Sequence, residues 1–449
     1  MKFIFALLLI SSAANATRND LAHRPRSFTT DTGRAVFVDF TQAIYNITYD
    51  IPNKSARVVA EIKFDAPEAG LPIFDSVQDP TSIVLDGVQV TSKLTQTPSK
   101  ETTLRLINAP VAVGSHTMTI SVPLNELLSF STDGVKSAFW TSDLDSRKFL
   151  ERYLPANFEF DQVQMAFNIT FIGGRAKQTI YTNGVMKEIK SNMIQIVYPS
   201  YYTSSSIFFH TVPEGAVQEL RFTLKSIDGR TLPAVVYVGK SGWPSGNLDG
   251  WKKKIESIFH ELESDYGAFL HPSVTVYNAG AGGMEYCGAT ITDSMALGHE
   301  LFHSYFARGV MPANGNSGWL DEALASWRDN GYPAREEMNG SSKMSAHPYY
   351  TRTTDRAAYS FGAKFMSYLD GKFKDKGGLK QFLRHMVDKR SFSPLFVEEF
   401  IKEMGEFYGK SAEADFKKYT YGTEDFSNLK DSNSHIHRKM TLEELKKYL

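Results

Sequence analysis

Two histidines four residues apart, with a glutamate after the first, constrain this chain more than any other feature: His299-Glu300-Leu301-Phe302-His303. On a helix, residues four apart lie on one face, so both imidazoles point the same way. The segment suits a helix. Asp293 can cap its start, Met295 to Phe306 are helix-compatible, and Gly309 can end it. Eighteen residues, Ser304 to Asp321, then separate His303 from Glu322. They hold a helix end, a loop with Pro312, Gly315 and Gly318, and the start of a second helix near Trp319. A helix–loop–helix hairpin of this kind can return Glu322 to the two histidines. Two imidazoles and a carboxylate, with a fourth position left for water, are the donors of a catalytic zinc site rather than a closed structural one. The expectation is one Zn2+ per chain, held by His299, His303 and Glu322, with Glu300 as the base that takes a proton from water.

The rest of the chain sets the frame. Its 449 residues suffice for two or three domains. Lys plus Arg number 49 and Asp plus Glu 50, a balance that gives no reason to expect nucleic acid or an acidic membrane as partner. Hydrophobic residues at 42% are too many for a disordered chain. Lys2, the apolar stretch Phe3 to Ile10 and Ala14-Asn15-Ala16 come in the order of a signal peptide cleaved after Ala16. The mature protein is then expected to start near Thr17, exported to a periplasm or secreted, with no stable membrane insertion. The single cysteine, Cys287, excludes an internal disulfide and is expected as a buried small apolar residue.

Residues 17–34 read as a loose polar lead-in. From Ala35 to residue 213, short runs such as Val58 to Phe64, Thr117 to Val122 and Met165 to Phe171 alternate apolar and polar residues, as half-buried strands do. Asp86-Gly87, Asp133-Gly134 and Asn183-Gly184 supply turns. Many short strands with few helical periods predict a β-sandwich of antiparallel sheets. Residues 214–449 read differently. Leu220 to Lys225 and Leu232 to Val238 are strand-like. Trp251, Ile255, Ile258, Phe259 and Leu262 mark one face of a helix over 248–266. Beyond Gly331 the chain reads as mainly helical, including 358–373, 379–387 and a last helix with a capping box at Thr441 and Glu444. The expected architecture is multidomain α+β. His435 and His437 read as a solvated tail.

The zinc motif, its eighteen-residue gap and Trp319-Leu320-Asp321-Glu322-Ala323-Leu324-Ala325 together resemble the gluzincin aminopeptidases, the family of aminopeptidase N and leukotriene hydrolase. Gly282-Gly283-Met284-Glu285-Tyr286 lies where that family carries Gly-x-Met-Glu-Asn, and Tyr359-Ser360-Phe361-Gly362-Ala363 looks like its tyrosine motif. The resemblance implies an N-terminal β-sandwich followed by a thermolysin-like zinc peptidase domain with a helical C-terminal half. It implies a short form, without the long C-terminal helical domain of larger members. It also implies roles in cutting residues from peptide N-termini. Glu285 would bind the substrate's free α-amino group, the Gly282-Gly283-Met284 backbone would pair with the peptide, and Tyr359 would stabilise the oxyanion. Tyr286, Ser304-Tyr305-Phe306-Ala307 and Asp321 depart from the family pattern, which bears on substrate preference more than on the metal. Two other readings stand beside the aminopeptidase: a zinc endopeptidase with an open cleft, and an exported peptide-binding protein that keeps the zinc fold without turnover.

Overall fold

The computed structural model describes residues 23–100, 102–140, 150–157, 159–240, 247–313, 315–347, 350 and 354–422. The expected signal peptide, the capping-box helix at Thr441 and the pair His435 and His437 lie outside the described residues. The chain is mixed α+β, rich in sheet at its N-terminal end and helical at its C-terminal end.

The largest sheet has eight strands, in the order Val185–Lys190, Met193–Val197, Gln164–Ile172, Asp39–Asp50, Ser55–Ala66, Gly114–Pro123, Ser82–Leu85 and Val88–Gln89. Its inner face follows from the alternation. Tyr45, Ile47 and Tyr49 are buried, while Asn46 and Thr48 between them are half-exposed. A five-stranded sheet and a four-stranded sheet accompany it. The expected antiparallel arrangement needs correction at two places. Gln164–Ile172 runs parallel to Asp39–Asp50, and Gly33–Phe37 runs parallel to Leu71–Phe74. Alternation reports which face is buried and carries no information on direction, and the long connections between these strands permit parallel pairing. The lead-in also differs from the expectation. Phe28–Thr30 pairs antiparallel with Gly33–Phe37, so this part of it is sheet.

A further five-stranded sheet, Val217–Lys225, Thr231–Gly239, Val274–Asn278, Ala289–Thr292 and Gly283–Tyr286 in spatial order, carries the site on its edge. Its two faces serve two cores. Val235, Tyr237, Met284 and Tyr286 join the core of the N-terminal sheets. Ala234, Val236 and Val276 pack on the helices that follow. The helix Leu248–Tyr266 lies on that second face, with Ile255, Ile258, Phe259 and Leu262 buried as their spacing predicts. The helices Leu297–Phe302, Leu320–Asp329, Ala363–Lys372, Gly378–Arg390, Val397–Tyr408 and Glu413–Thr420 complete it. None of the described helices is long and apolar enough to cross a membrane.

Candidate metal centre

His299 lies inside a helix of six residues, Leu297–Phe302, and His303 is its C-cap. Asp293 bonds the turn just before the helix rather than its first turn: its Oδ1 accepts the backbone N–H groups of Met295 at 2.6 Å and Ala296 at 2.8 Å, and Ala296 is the N-cap. The helix stops earlier than the sequence predicts. Past His303 the N–H of Tyr305 turns to Phe302 O and that of Arg308 to His303 O, and Ala307 takes the rare backbone angle φ 133°. The His303 N–H still bonds His299 O at 3.3 Å, so the four-residue relation survives and the two rings stand 4.8 Å apart.

Glu322 returns on the helix Leu320–Asp329, anchored by the buried Trp319 and Trp327. Its Oε2 lies 2.9 Å from His299 Nε2 and 3.5 Å from His303 Nε2. Donors bound to one zinc at the usual lengths in a tetrahedron stand about 3.3 Å apart. The two separations bracket that value, so the set fits a zinc ion with little movement. The far nitrogens are already engaged. His299 Nδ1 pairs with Asp329 Oδ2 at 2.6 Å, and His303 Nδ1 faces the carbonyl of Phe306 at 3.0 Å. Such partners fix the tautomer that turns Nε2 toward a metal. Arg328 holds Asp329 in turn, Nη1 to Oδ1 at 3.0 Å, and pairs outward with Glu261. Burial opposes charge on both imidazoles, yet Asp329 and Glu322 raise His299 well above the ordinary imidazole pKa, and Glu322 and Glu285 raise His303. The buried carboxylates therefore call for positive charge at this point, which a dication supplies better than protons do.

Glu300 is buried beside this set. Its carboxylate, that of Glu285 and a ring nitrogen of His303 all lie within 4.8 Å of one another. Gly283 makes this possible, because a Cβ there would sit 2.0 Å from Glu300 Oε1. Glu285 follows two residues later on the edge strand Gly283–Tyr286, so both face the site while Met284 and Tyr286 turn into the other core. Tyr286, a departure from the family pattern, thus packs against Phe208 at 5.3 Å, on the face away from the site. Gly282 precedes the strand at φ 61°, where its carbonyl accepts the Asp293 N–H. Tyr359 sits on a π-helical turn, Ala358–Gly362, its ring nearly parallel to that of His299 at 6.3 Å. Single π turns recur at functional sites. Asp321 accepts the N–H of Glu322 at 2.9 Å. Cys287 is buried, its thiol pushed up to about 12 by burial, consistent with a packing role.

Four contributors were not anticipated. Asp329 carried a signal, since it lies seven residues past Glu322 and so two turns further along the same helix face. Arg308, Glu159 and Ser205 carried none. Arg308 Nη2 donates to Glu285 Oε1 at 2.9 Å, and its Nη1 reaches Ser205 Oγ at 2.6 Å and Glu159 Oε1 at 3.3 Å. The sequence expectation set Glu285 facing the substrate amine; the structure adds a guanidinium at its side.

No protein-family profile and no curated protein matches the sequence. Solved structures do match the fold. An M1 zinc metallopeptidase from Deinococcus radiodurans aligns with TM-score 0.63 at 14% identity, over 86% of this chain and 95% of that one. A variant of the same enzyme, solved with a Tyr-Ser-Ala substrate, aligns with TM-score 0.62 at 14% identity over the same shares. Leukotriene A4 hydrolase from Saccharomyces cerevisiae aligns with TM-score 0.64 at 14% identity, over 86% of this chain and 68% of that one. The fold of this chain is therefore that of the M1 zinc metallopeptidases and leukotriene A4 hydrolase.

Proposed function

We propose that the chain is a zinc metallopeptidase that removes residues from the N-termini of peptides. The convergence of Glu322 Oε2 with His299 and His303 Nε2 carries the reading. These three residues would hold one zinc ion, which when bound acidifies water and polarises the scissile carbonyl. Glu300 accepts the water proton and passes it to the leaving amine. Tyr359 donates its phenol to the developing oxyanion. The peptide lies along the edge strand Gly283–Tyr286 as an added strand, which the small Gly282 and Gly283 allow. Glu285 takes the free α-ammonium, and an internal amide cannot repay its desolvation. The neighbour solved with Tyr-Ser-Ala supports a peptide substrate.

Hydrolysis of aminoacyl amides beside their N-acetylated forms tests this. The free-amine substrates should be cut at least about tenfold faster, and Glu285→Gln should erase that margin. Equal cleavage of both by the unmodified protein would point to the endopeptidase, and zinc binding without turnover to a peptide-binding protein. We also propose export, from the order of Lys2, Phe3 to Ile10 and Ala14 to Ala16. The N-terminal sequence of the native protein should then begin near Thr17, and retention of Met1 would exclude it.

A further inference from the structure

Glu285 is buried close to a second carboxylate, Glu300, and a buried carboxylate has no fixed direction unless something gives it one. Arg308 does so here. It is 1% exposed, and its guanidinium reaches Glu285 with one nitrogen and Ser205 and Glu159 with the other. The three partners come from three places: the edge strand, the loop at residue 205 and the turn at residue 159. Arg308 itself is tied to the metal centre, because its backbone N–H bonds His303 O at 2.9 Å. The residue before it, Ala307, holds φ 133°, a conformation that costs an L-residue energy and is kept where the surroundings demand it. Ser205 is held in turn, with Thr203 Oγ1 at 3.1 Å. The guanidinium is thus a rigid strut with one end on the carboxylate proposed to meet the substrate.

We propose that Arg308 is the positioning residue for substrate selection: it fixes the Glu285 carboxylate at a set distance from the metal ligands, so that the free amino end of a peptide is measured from His303. This rests on the aminopeptidase reading and deepens it. A planar fork suits the task, since one nitrogen can serve Glu285 while the other stays on Ser205; a lysine offers one nitrogen on a flexible stem and does not hold the two partners at a fixed spacing. The consequence is specific to free-amine substrates. Loosening the strut should weaken recognition of the α-ammonium without touching Glu300 or the metal ligands.

The test is the zinc-loaded full chain carrying Arg308→Lys or Ser205→Ala. Each is assayed on aminoacyl amides and on internally cleavable N-acetylated peptides, with zinc content and circular dichroism as controls. Arg308→Lys should raise KM on free-amine substrates about tenfold, with kcat within about threefold and the slow rate on blocked peptides unchanged. Ser205→Ala should move KM the same way by about threefold, and it decides the matter if Arg308→Lys does not fold. Unchanged KM in the folded variants overturns the proposal. So does an equal loss of kcat on both substrate types, which would make Arg308 a support for the metal helix. Failure of the underlying reading looks different, because the unmodified protein itself would then cut blocked and free substrates alike.

Discussion

At the scale of single residues, the site shows how much of a proposed metal centre lies beyond the residues that would hold the ion. His299, Glu300, His303 and Glu322 declare themselves by spacing, because helix periodicity converts four residues into one face. The groups that aim them do not. Asp329 fixes His299 through a 2.6 Å contact and is itself held by Arg328. A carboxylate behind a liganding imidazole raises its basicity and sets its tautomer. Asp329→Asn keeps the shape and removes the charge. It should weaken zinc binding by about 10- to 100-fold, measured by competition with a chelator. An affinity within twofold of the unmodified protein would show that orientation alone suffices. Arg308 was beyond reach of sequence reasoning for a physical reason. Its partners lie 23, 103 and 149 residues away, and only the packing of three segments brings them together.

At the scale of elements, strands and helices were legible where one face is buried and one is wet. The helix Leu248–Tyr266 and the strand Gln164–Ile172 fall where periodicity places them. What alternation cannot carry is partner and direction. Asn183-Gly184 reads as a turn, yet the strands on its two sides, Gln178–Thr182 and Val185–Lys190, belong to different sheets. Asn183 instead bonds the carbonyls of Ser206 and Cys287 and the N–H of Phe208, stitching the N-terminal sheets to the site-bearing one. The edge strand Gly283–Tyr286 makes the same point about the site. Gly283 and the preceding Gly282 suggested room for a peptide, and Gly283 also makes room for Glu300, the proposed base. Gly283→Ala would put a Cβ 2.0 Å from Glu300 Oε1 and force that side chain aside. The variant should keep its zinc and its fold while kcat falls by about 100-fold or more, as expected when a general base is displaced. Steady-state kinetics with zinc analysis checks this, and a kcat within threefold would mean that Glu300 has slack.

At the scale of the whole molecule, one face of the site-bearing sheet is continuous with the core of the N-terminal sheets, so the two parts share a seam. His210 sits in it. Its ring lies 4.8 Å from that of Trp140 and 5.2 Å from that of Tyr277, and its Nδ1 is 3.0 Å from Tyr237 Oη. Burial lowers its pKa to about 3 from 6.5, and burial likewise takes His271 to about 4. A histidine depressed in the folded state stays neutral there while the unfolded chain takes up a proton below about pH 6.5. Its contribution is therefore complete above that pH and is lost as pH falls through the window from about 6.5 toward the folded value. His116 has a raised value and acts in the opposite sense, as do His299 and His303 while no metal occupies them, so the net profile of the protein does not isolate the seam. A difference does. Between pH 7 and pH 5 the unfolded-state protonation of one such histidine costs about 2 kcal/mol. His210→Gln removes that titration and leaves the others. The stability of the unmodified protein relative to this variant should thus drop by about 2 kcal/mol over the same interval, measured by urea unfolding at each pH. A difference that stays flat would mean that His210 takes up its proton inside the fold as readily as in the unfolded chain, and that the seam between the N-terminal sheets and the site-bearing half accepts a charge over this interval.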